Sequence, residues 1–199
     1  SMAAHGPVGL AAMTSRCVGH AMETIAKYAH IRNRLFDFQC DRAHGKVRLL
    51  MRPRIPLGAY GPFIENATVF AKFSILRAIA HPLDWQQGEI LLPWNSDADT
   101  DPARDNLRRQ HGAPALGFQF PEDVAERPSA VSDPELHRHI CLAGDEELAR
   151  LQGSEKEPAD DALHDLYAKY GPDRWSLADR GYRAGVHPLE LWVVGYLRH

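Results

Sequence analysis

The hydrophobic positions of the chain change their spacing several times, and each spacing predicts a different kind of element. Within residues 19–30, apolar side chains recur at every third or fourth position, which predicts a short amphipathic helix. Residues 35–40 and 46–52 instead alternate between apolar and polar side chains, a pattern typical of strands with one buried face. Turn-forming residues at 41–45 separate these two segments, so we expect the pair to form a β-hairpin.

Residues 60–79 are predicted to form the most apolar helix of the chain. Its apolar side chains extend nearly all the way round, and such a helix is usually packed on two sides. We therefore expect a central helix that lies across the sheet. Two more strands are predicted at residues 88–94 and 114–120, separated by a short helix at residues 102–111 with Pro102 in its first turn.

The last third of the chain is predicted to be helical. Asp133 precedes Pro134, and a capping side chain before a proline favours a helix start. This helix carries leucines as far as Leu151. Residues 153–160 are charged and contain a proline, so they are the best linker candidate, and three further helices are possible within residues 161–199.

These elements combine into one predicted architecture. We expect an α+β fold, in which a small antiparallel or mixed sheet is packed by a long central helix and followed by a small all-helical C-terminal segment. The 199 residues, of which 44% are hydrophobic, suffice for one core and a small satellite. The expected division is a main domain at 5–152, a linker at 153–160 and a helical tail at 161–199.

Composition and charge narrow the classes of function. No run of about 18 apolar residues occurs, so we expect no membrane contact and a cytoplasmic location. The formal net charge of -3 differs from the basic balance of a stand-alone DNA binder, whose affinity comes largely from phosphate contacts. The three cysteines are widely spaced and form no CxxC pair, which favours free thiols in a reducing compartment.

The usual signatures of catalysis and metal binding are absent from the sequence. It contains no HExxH, P-loop or GxSxG motif. The aspartates within residues 97–101 are spaced like calcium ligands, but Pro102 occupies the loop position that needs glycine. His137 and His139 are two apart on a predicted helix and so face different directions. We therefore expect no catalytic residue, metal ion or cofactor.

Four segments of the sequence resemble a single protein family. They are residues 5–15 (HGPVGLAAMTS), 42–49 (RAHGKVRL), 118–121 (FQFP) and 127–136 (RPSAVSDPEL). The last one, in which Arg-Pro precedes a Ser-Asp-Pro-Glu-Leu helix start, is the most specific. Together with the order of the predicted elements, they resemble the arabinose-binding-type N-terminal domain of bacterial AraC-family transcription regulators over residues 5–152.

The resemblance implies a module that senses a small-molecule effector, and not an enzyme. The branch that it resembles includes regulators of amino-acid metabolism, so amino-acid-related metabolites are among the expected effectors. An effector pocket needs apolar walls with a few polar groups. The candidates for its lining bracket the central helix and flank the hairpin: Arg54, Tyr60, Trp85 and Trp94. Ordinary packing in the core or at the surface is the alternative for each of them.

The resemblance also implies a homodimer. In the family, the helix that corresponds to the one beginning at Pro134 tends to pair subunits. Here that helix carries an apolar stripe directly before the linker: Leu136, Ile140, Leu148 and Leu151. Packing of the stripe on its own domain is the alternative.

DNA contact is expected only through a missing or partial DNA-binding domain. The family would carry two helix-turn-helix units after the linker, and residues 161–199 are too few for both. Gly181 and Gly185 nevertheless have a spacing that fits one such unit. The candidate DNA contacts are Arg180, Arg183, His187 and Arg198. A helical satellite that packs on the main domain or on a partner is the alternative.

Two other functions compete with the sensor hypothesis. Residues 187–192 (HPLELW) faintly resemble a stretch of some bacterial peptidoglycan transglycosylases, which suggests an accessory module or fragment of a cell-wall protein. A small hydrolase is a third hypothesis, based on the eleven histidines. The sensor predicts a dimer that binds a metabolite without turnover, whereas the hydrolase predicts a converging nucleophile, histidine and aspartate.

Overall fold

The computed structural model describes residues 6–57, 61–94 and 107–153. Within these ranges the chain forms six α-helices, five strands and a short 3-10 helix at Ala29–Ile31. In chain order, the elements are α1 Gly6–Met13, α2 Val18–Tyr28, β1 Phe36–Ala43, β2 Lys46–Pro53, α3 Gly61–Ile79, α4 Pro82–Trp85, β3 Glu89–Leu92, β4 Arg108–His111, β5 Leu116–Pro121, α5 Glu122–Ala125 and α6 Pro134–Gly153.

The described strands form one mixed sheet in the order β1-β2-β5-β3-β4. Neighbouring strands are antiparallel except for β3 and β4, which run parallel. The turn between β1 and β2 consists of His44 and Gly45, whose φ angles of 53° and 69° are those that a two-residue hairpin turn requires. The predicted hairpin and the predicted α+β fold are therefore confirmed.

The core lies between one face of this sheet and the helices that pack on it. Helix α2 packs against β1 and β2, and α3 packs against β5. Helix α1 contacts α2, α3 and α6, and α6 also contacts the 3-10 helix. The largest fully buried side chains come from sheet and helices alike: Phe36, Phe118, Phe120, Met22, Ile25, Leu49, Met51, Leu76 and Leu116.

Strand β5 lies at the centre of the sheet and approaches β2 very closely at one point. Gly117 pairs with Leu50 on one side and with Leu91 on the other. A Cβ atom on Gly117 would lie 2.1 Å from the carbonyl oxygen of Leu49, far inside van der Waals contact. Glycine is therefore the residue that lets these two strands pair in this register.

The opposite face of the sheet is crossed by polar side chains. Arg48 donates two hydrogen bonds to Asp41, of 2.7 and 3.0 Å. The side chain of Gln119 is buried and donates to Glu89 and to Gln110, so its burial is compensated. Beside this polar row lies a small apolar cluster: Leu50, Leu91, Ala113 and Ala115.

Several predicted elements are confirmed and one is wrong. The central helix is α3, and Asp133 caps α6 by accepting a 3.0 Å hydrogen bond from the backbone N–H of Leu136. The helix predicted at residues 102–111 is wrong at its C-terminal end, where Arg108–His111 forms β4, and its first five residues lie outside the described ranges. Pairing with β3 satisfies the backbone of these four residues, and this tertiary interaction outweighs their local helix propensity.

Three helices were not predicted. Helix α1 is apolar nearly all round and contains two glycines, so it lacks the polar face by which an amphipathic helix is identified. Helices α4 and α5 have four residues each and are too short to show a period. None of the helices in the described ranges is long and apolar enough to cross a membrane.

Candidate functional site

Helix α6 is held on the domain by a polar face. His137 Nδ1 lies 2.8 Å from the carbonyl oxygen of Ala11 in α1. The hydroxyl of Tyr28 donates to Asp145, at 2.9 Å, and also lies 3.2 Å from a backbone carbonyl of α6. A Cβ atom on Gly144 would lie 2.8 Å from the Tyr28 ring, so glycine permits this close approach. Hydrogen bonds and close packing therefore fix how α6 sits on the domain.

An ion pair joins the same contact. Lys27 Nζ lies 2.7 Å from Asp145 Oδ1. This hydrogen bond raises the pKa of Lys27 and lowers that of Asp145. Burial raises the pKa of Tyr28 to about 12, so its hydroxyl stays protonated and able to donate at neutral pH. Both Lys27 and Asp145 are about half exposed, so we expect the ion pair to contribute little beyond orientation.

A cluster of His20, His137 and Cys141 lies in the same interface. Because a carbonyl can only accept, the contact with Ala11 places the proton of His137 on Nδ1 and leaves Nε2 to accept from the Cys141 thiol, at 3.3 Å. The ring centroids of His20 and His137 are 4.6 Å apart. Burial, and then the charge of His137, lowers the pKa of His20, so the folded state favours the neutral form of the His20 ring.

This cluster is not arranged as a metal site. Among the residues that the structure describes, no group of three or more histidine, cysteine or acidic side chains could hold a metal ion. His139 points away from the interface and is exposed, as its position two residues after His137 predicted. All three cysteines are free: Cys17 is buried, while Cys40 and Cys141 are half-buried.

The remaining surface of α6 carries apolar side chains. Leu136 and Leu142 are 40% and 52% exposed. The other three residues of the predicted pairing stripe are half-buried: Ile140, Leu148 and Leu151. At about 100° per residue, Leu148 and Leu151 lie on the same side of the helix as His137 and Gly144, through which α6 contacts the domain, and Leu136 lies about a quarter turn from that side.

The inward face of α3 carries one cation. Lys72 lies one turn from Val69 and from Leu76, both of which are buried. Its Nζ atom lies 5.4 Å from the centre of the Phe38 ring on the edge strand β1. Burial lowers the pKa of Lys72 to about 8. The side chain is half-buried, so part of it remains accessible to solvent.

Three of the residues that the sequence nominated as pocket liners are described, and each has its own contacts. Arg54 pairs with Asp37, at 3.4 Å, and lies 3.2 Å from His30. Trp85 is 4% exposed, and its ring stands edge-on to Phe73 with centroids 5.0 Å apart, which is a core position. Trp94 is half-buried against the core. The role of these three residues in effector binding stays a prediction.

Other nominated residues lie outside the described ranges. Tyr60 and the calcium-like aspartates within 97–101 are among them, as are the linker and the tail. The four candidate DNA contacts fall in that tail: Arg180, Arg183, His187 and Arg198. In contrast, Lys72 was not nominated, although a single lysine within the apolar run of residues 60–79 was a visible signal.

Comparison with known proteins identifies relatives of the fold. Residues 1–129 match the family model described as the arabinose-binding domain of AraC transcription regulators, N-terminal. The crystal structure of the transcriptional regulator CdpR from Pseudomonas aeruginosa superposes with a TM-score of 0.59 at 17% sequence identity. The match covers 94% of this chain and 61% of that one, so the chain spans less than two thirds of the CdpR chain. No curated protein matches the chain in sequence.

Proposed function

The chain belongs to the AraC family of transcription regulators, and on this premise we propose that its main domain is an effector-sensing module that pairs two subunits through α6. Binding and pairing, without covalent chemistry, make up the proposed activity. The module would act in the cytoplasm, where a bacterial regulator meets its DNA. Contact with DNA would come through a partial or additional DNA-binding domain beyond the linker at 153–160.

The observation that carries this proposal is that α6 is docked on the domain by one side and exposes leucines on another. One face of the helix is attached to α1 and α2 by hydrogen bonds, whereas Leu136 and Leu142 face solvent. Exposed leucines on a helix that is already firmly docked are typical of a protein–protein contact. A two-fold axis would bring the same face of a second copy against them.

The position of α1 suggests how an effector could influence pairing. Helix α1 packs against α3, which carries Lys72, and also against α6. An effector that binds one arrangement of these helices more tightly than another would shift the dimer toward it. The effector could act only in this way, because a ligand with equal affinity for both arrangements shifts nothing.

The cell-wall alternative is not carried forward. It rests on residues 187–192, which lie outside the described ranges, and no contact of the main domain favours it. The hydrolase hypothesis needs a nucleophile beside a histidine and an acid. The cysteine of the α6 interface is hydrogen-bonded to His137 on the same helix, and the second nitrogen of that histidine faces a carbonyl, not a carboxylate.

The test is the oligomeric state of the full chain, measured by light scattering across a range of concentrations. Leu136→Glu places a charge on the proposed pairing face, and Leu83→Glu, at the 66% exposed Leu83 of α4, is the matched control. We expect a wild-type dimer, a dissociation constant raised by about tenfold or more in Leu136→Glu, and no change in the control.

Both substitutions affect exposed side chains, so each should change the free energy of unfolding by no more than about 0.5 kcal/mol. A wild-type chain that stays monomeric at every concentration would refute pairing. Equal weakening by both substitutions would refute the assignment to α6.

A further inference from the structure

Lys72 is placed where an apolar side chain would be expected. Val69 and Leu76, three residues before it and four residues after it, are 3% and 0% exposed. Residues three and four apart on a helix share a face, so Lys72 belongs to the stripe that packs toward the sheet. A lysine that only fills space would extend its ammonium outward to water. Here the ammonium instead points across to β1, where it lies over Phe38.

The described contacts of the Lys72 ammonium replace little of the hydration that it loses on folding. Among the described residues, the ring of Phe38, 5.4 Å from Nζ, is the partner of the ammonium, and a cation–π contact replaces only part of the lost hydration. Within the described ranges no carboxylate lies within ion-pair distance of Lys72. Glu65, two turns earlier on α3, is not its counter-ion, since burial raises the pKa of this carboxyl where a nearby ammonium would lower it.

Charges that are withdrawn from water are normally paired, and Lys72 has no carboxylate partner within the described ranges, so an anionic ligand would complete the pair. We propose that Lys72 binds the carboxylate of an amphipathic monocarboxylic acid, the effector of the sensing module, whose apolar part lies along Phe38 between α3 and the edge strand β1. This inference rests on the proposed function, because it assigns the effector site of that module and its chemical class.

The surroundings favour a monocarboxylate over other anions. Phosphates are usually held by several donors, such as an arginine fork or a helix N-terminus, whereas Lys72 stands alone in the middle of α3. The neighbours of the ammonium are apolar, so a ligand with one charge and a hydrophobic body matches them. With a pKa of about 8, the amine is still mostly protonated at neutral pH and can attract the anion.

The experiment compares acids with their uncharged amides on the full-length chain. Hexanoate, octanoate, benzoate and phenylacetate are titrated by calorimetry and by thermal unfolding, each beside its primary amide. We expect at least one acid to bind and its amide not to bind. In Lys72→Met the affinity for that acid should fall on the order of 30-fold or more, because one partner of an enclosed charge pair is removed.

Two control variants separate charge from structure. Arg77→Met removes an exposed cation from the same helix and should leave the affinity unchanged. Lys72→Arg keeps the charge and should retain part of the binding. Methionine nearly matches the apolar stem of lysine in volume, so Lys72→Met should fold and remain testable.

The outcomes distinguish this inference from the function on which it rests. Equal binding of acid and amide, equal binding to wild type and Lys72→Met, or no binding of any acid of the panel overturns the assignment of Lys72. Binding of a neutral sugar or a zwitterionic amino acid alone overturns it too, while leaving the sensor intact. A chain that binds no small molecule and forms no dimer overturns the proposed function itself.

Discussion

Replacing Lys72 with methionine should make the unliganded protein more stable at neutral pH. Burial lowers the pKa of this amine from 10.5 to about 8, so the folded state disfavours the ammonium relative to the unfolded chain. The destabilisation is fully present below pH 8 and is lost as the pH rises toward 10.5, where both states hold the neutral amine. Its sign is opposite to that of a lysine that gains a partner on folding.

The magnitude follows from the same two values. At 1.36 kcal/mol for each pKa unit, the difference between 10.5 and about 8 corresponds to at most about 3 kcal/mol. Lys72 is half-buried and keeps some hydration, and the Phe38 ring returns part of the lost interaction. We therefore expect Lys72→Met to raise the free energy of unfolding by about 1–3 kcal/mol at pH 7.

Urea unfolding of wild type, Lys72→Met and Arg77→Met measures this effect. The difference between the first two should shrink steadily between pH 8 and pH 10.5, and the Arg77 variant should show no such trend. Taking the difference cancels the other groups that titrate in this range. A Lys72→Met protein less stable than wild type at pH 7 would refute the reasoning, because it would mean that the ammonium has a stabilising partner.

Two further predictions test other contacts. Gly117→Ala should lower the free energy of unfolding by about 3 kcal/mol or more, because the new Cβ would overlap the Leu49 carbonyl. Gly45→Ala, in the open hairpin turn, should lower it by only about 1 kcal/mol. Urea unfolding measures both changes, and equal values would contradict the close approach of β2 and β5. His20→Phe should reduce the loss of stability on acidification. Because the pKa of His20 is lowered in the folded state, its contribution to stability is present above pH 6.5 and is lost as the pH falls below that value. Thermal unfolding at pH 7.5 and pH 5 should therefore show a smaller change for the variant than for wild type, and equal changes would contradict the argument.

Periodicity predicted the elements whose two faces meet different surroundings. The hairpin has one face on the core and one facing polar side chains, so its alternation was visible in the sequence. Helix α6 was found from its proline and its leucines. The sequence pattern did not predict helix α1, because this helix packs against several other helices. It did not predict strand β4 either, because the partner strand β3 is separated from it by an intervening segment. Neither surrounding is a property of the local sequence.

The candidate site shows the same limit. Trp85 and Lys72 are both conspicuous in the sequence, one as a large aromatic residue and one as the single lysine of an apolar helix. Tertiary packing alone determines that Trp85 stands in the core beside Phe73 while Lys72 reaches across to Phe38. The local sequence marks both residues, but it does not determine which of them lies in the core.

The strand order also has a consequence for synthesis of the protein. Strand β5 stands between β2 and β3 but follows both in the chain, so during translation the hairpin and β3 are complete before the strand that joins them exists. Two sheet edges then stay unpaired until the ribosome has released β5, and such edges are prone to pair with other chains. Joining the halves requires closure between segments far apart in sequence, which is slow. Nascent chains that end before residue 116 should therefore be the aggregation-prone ones.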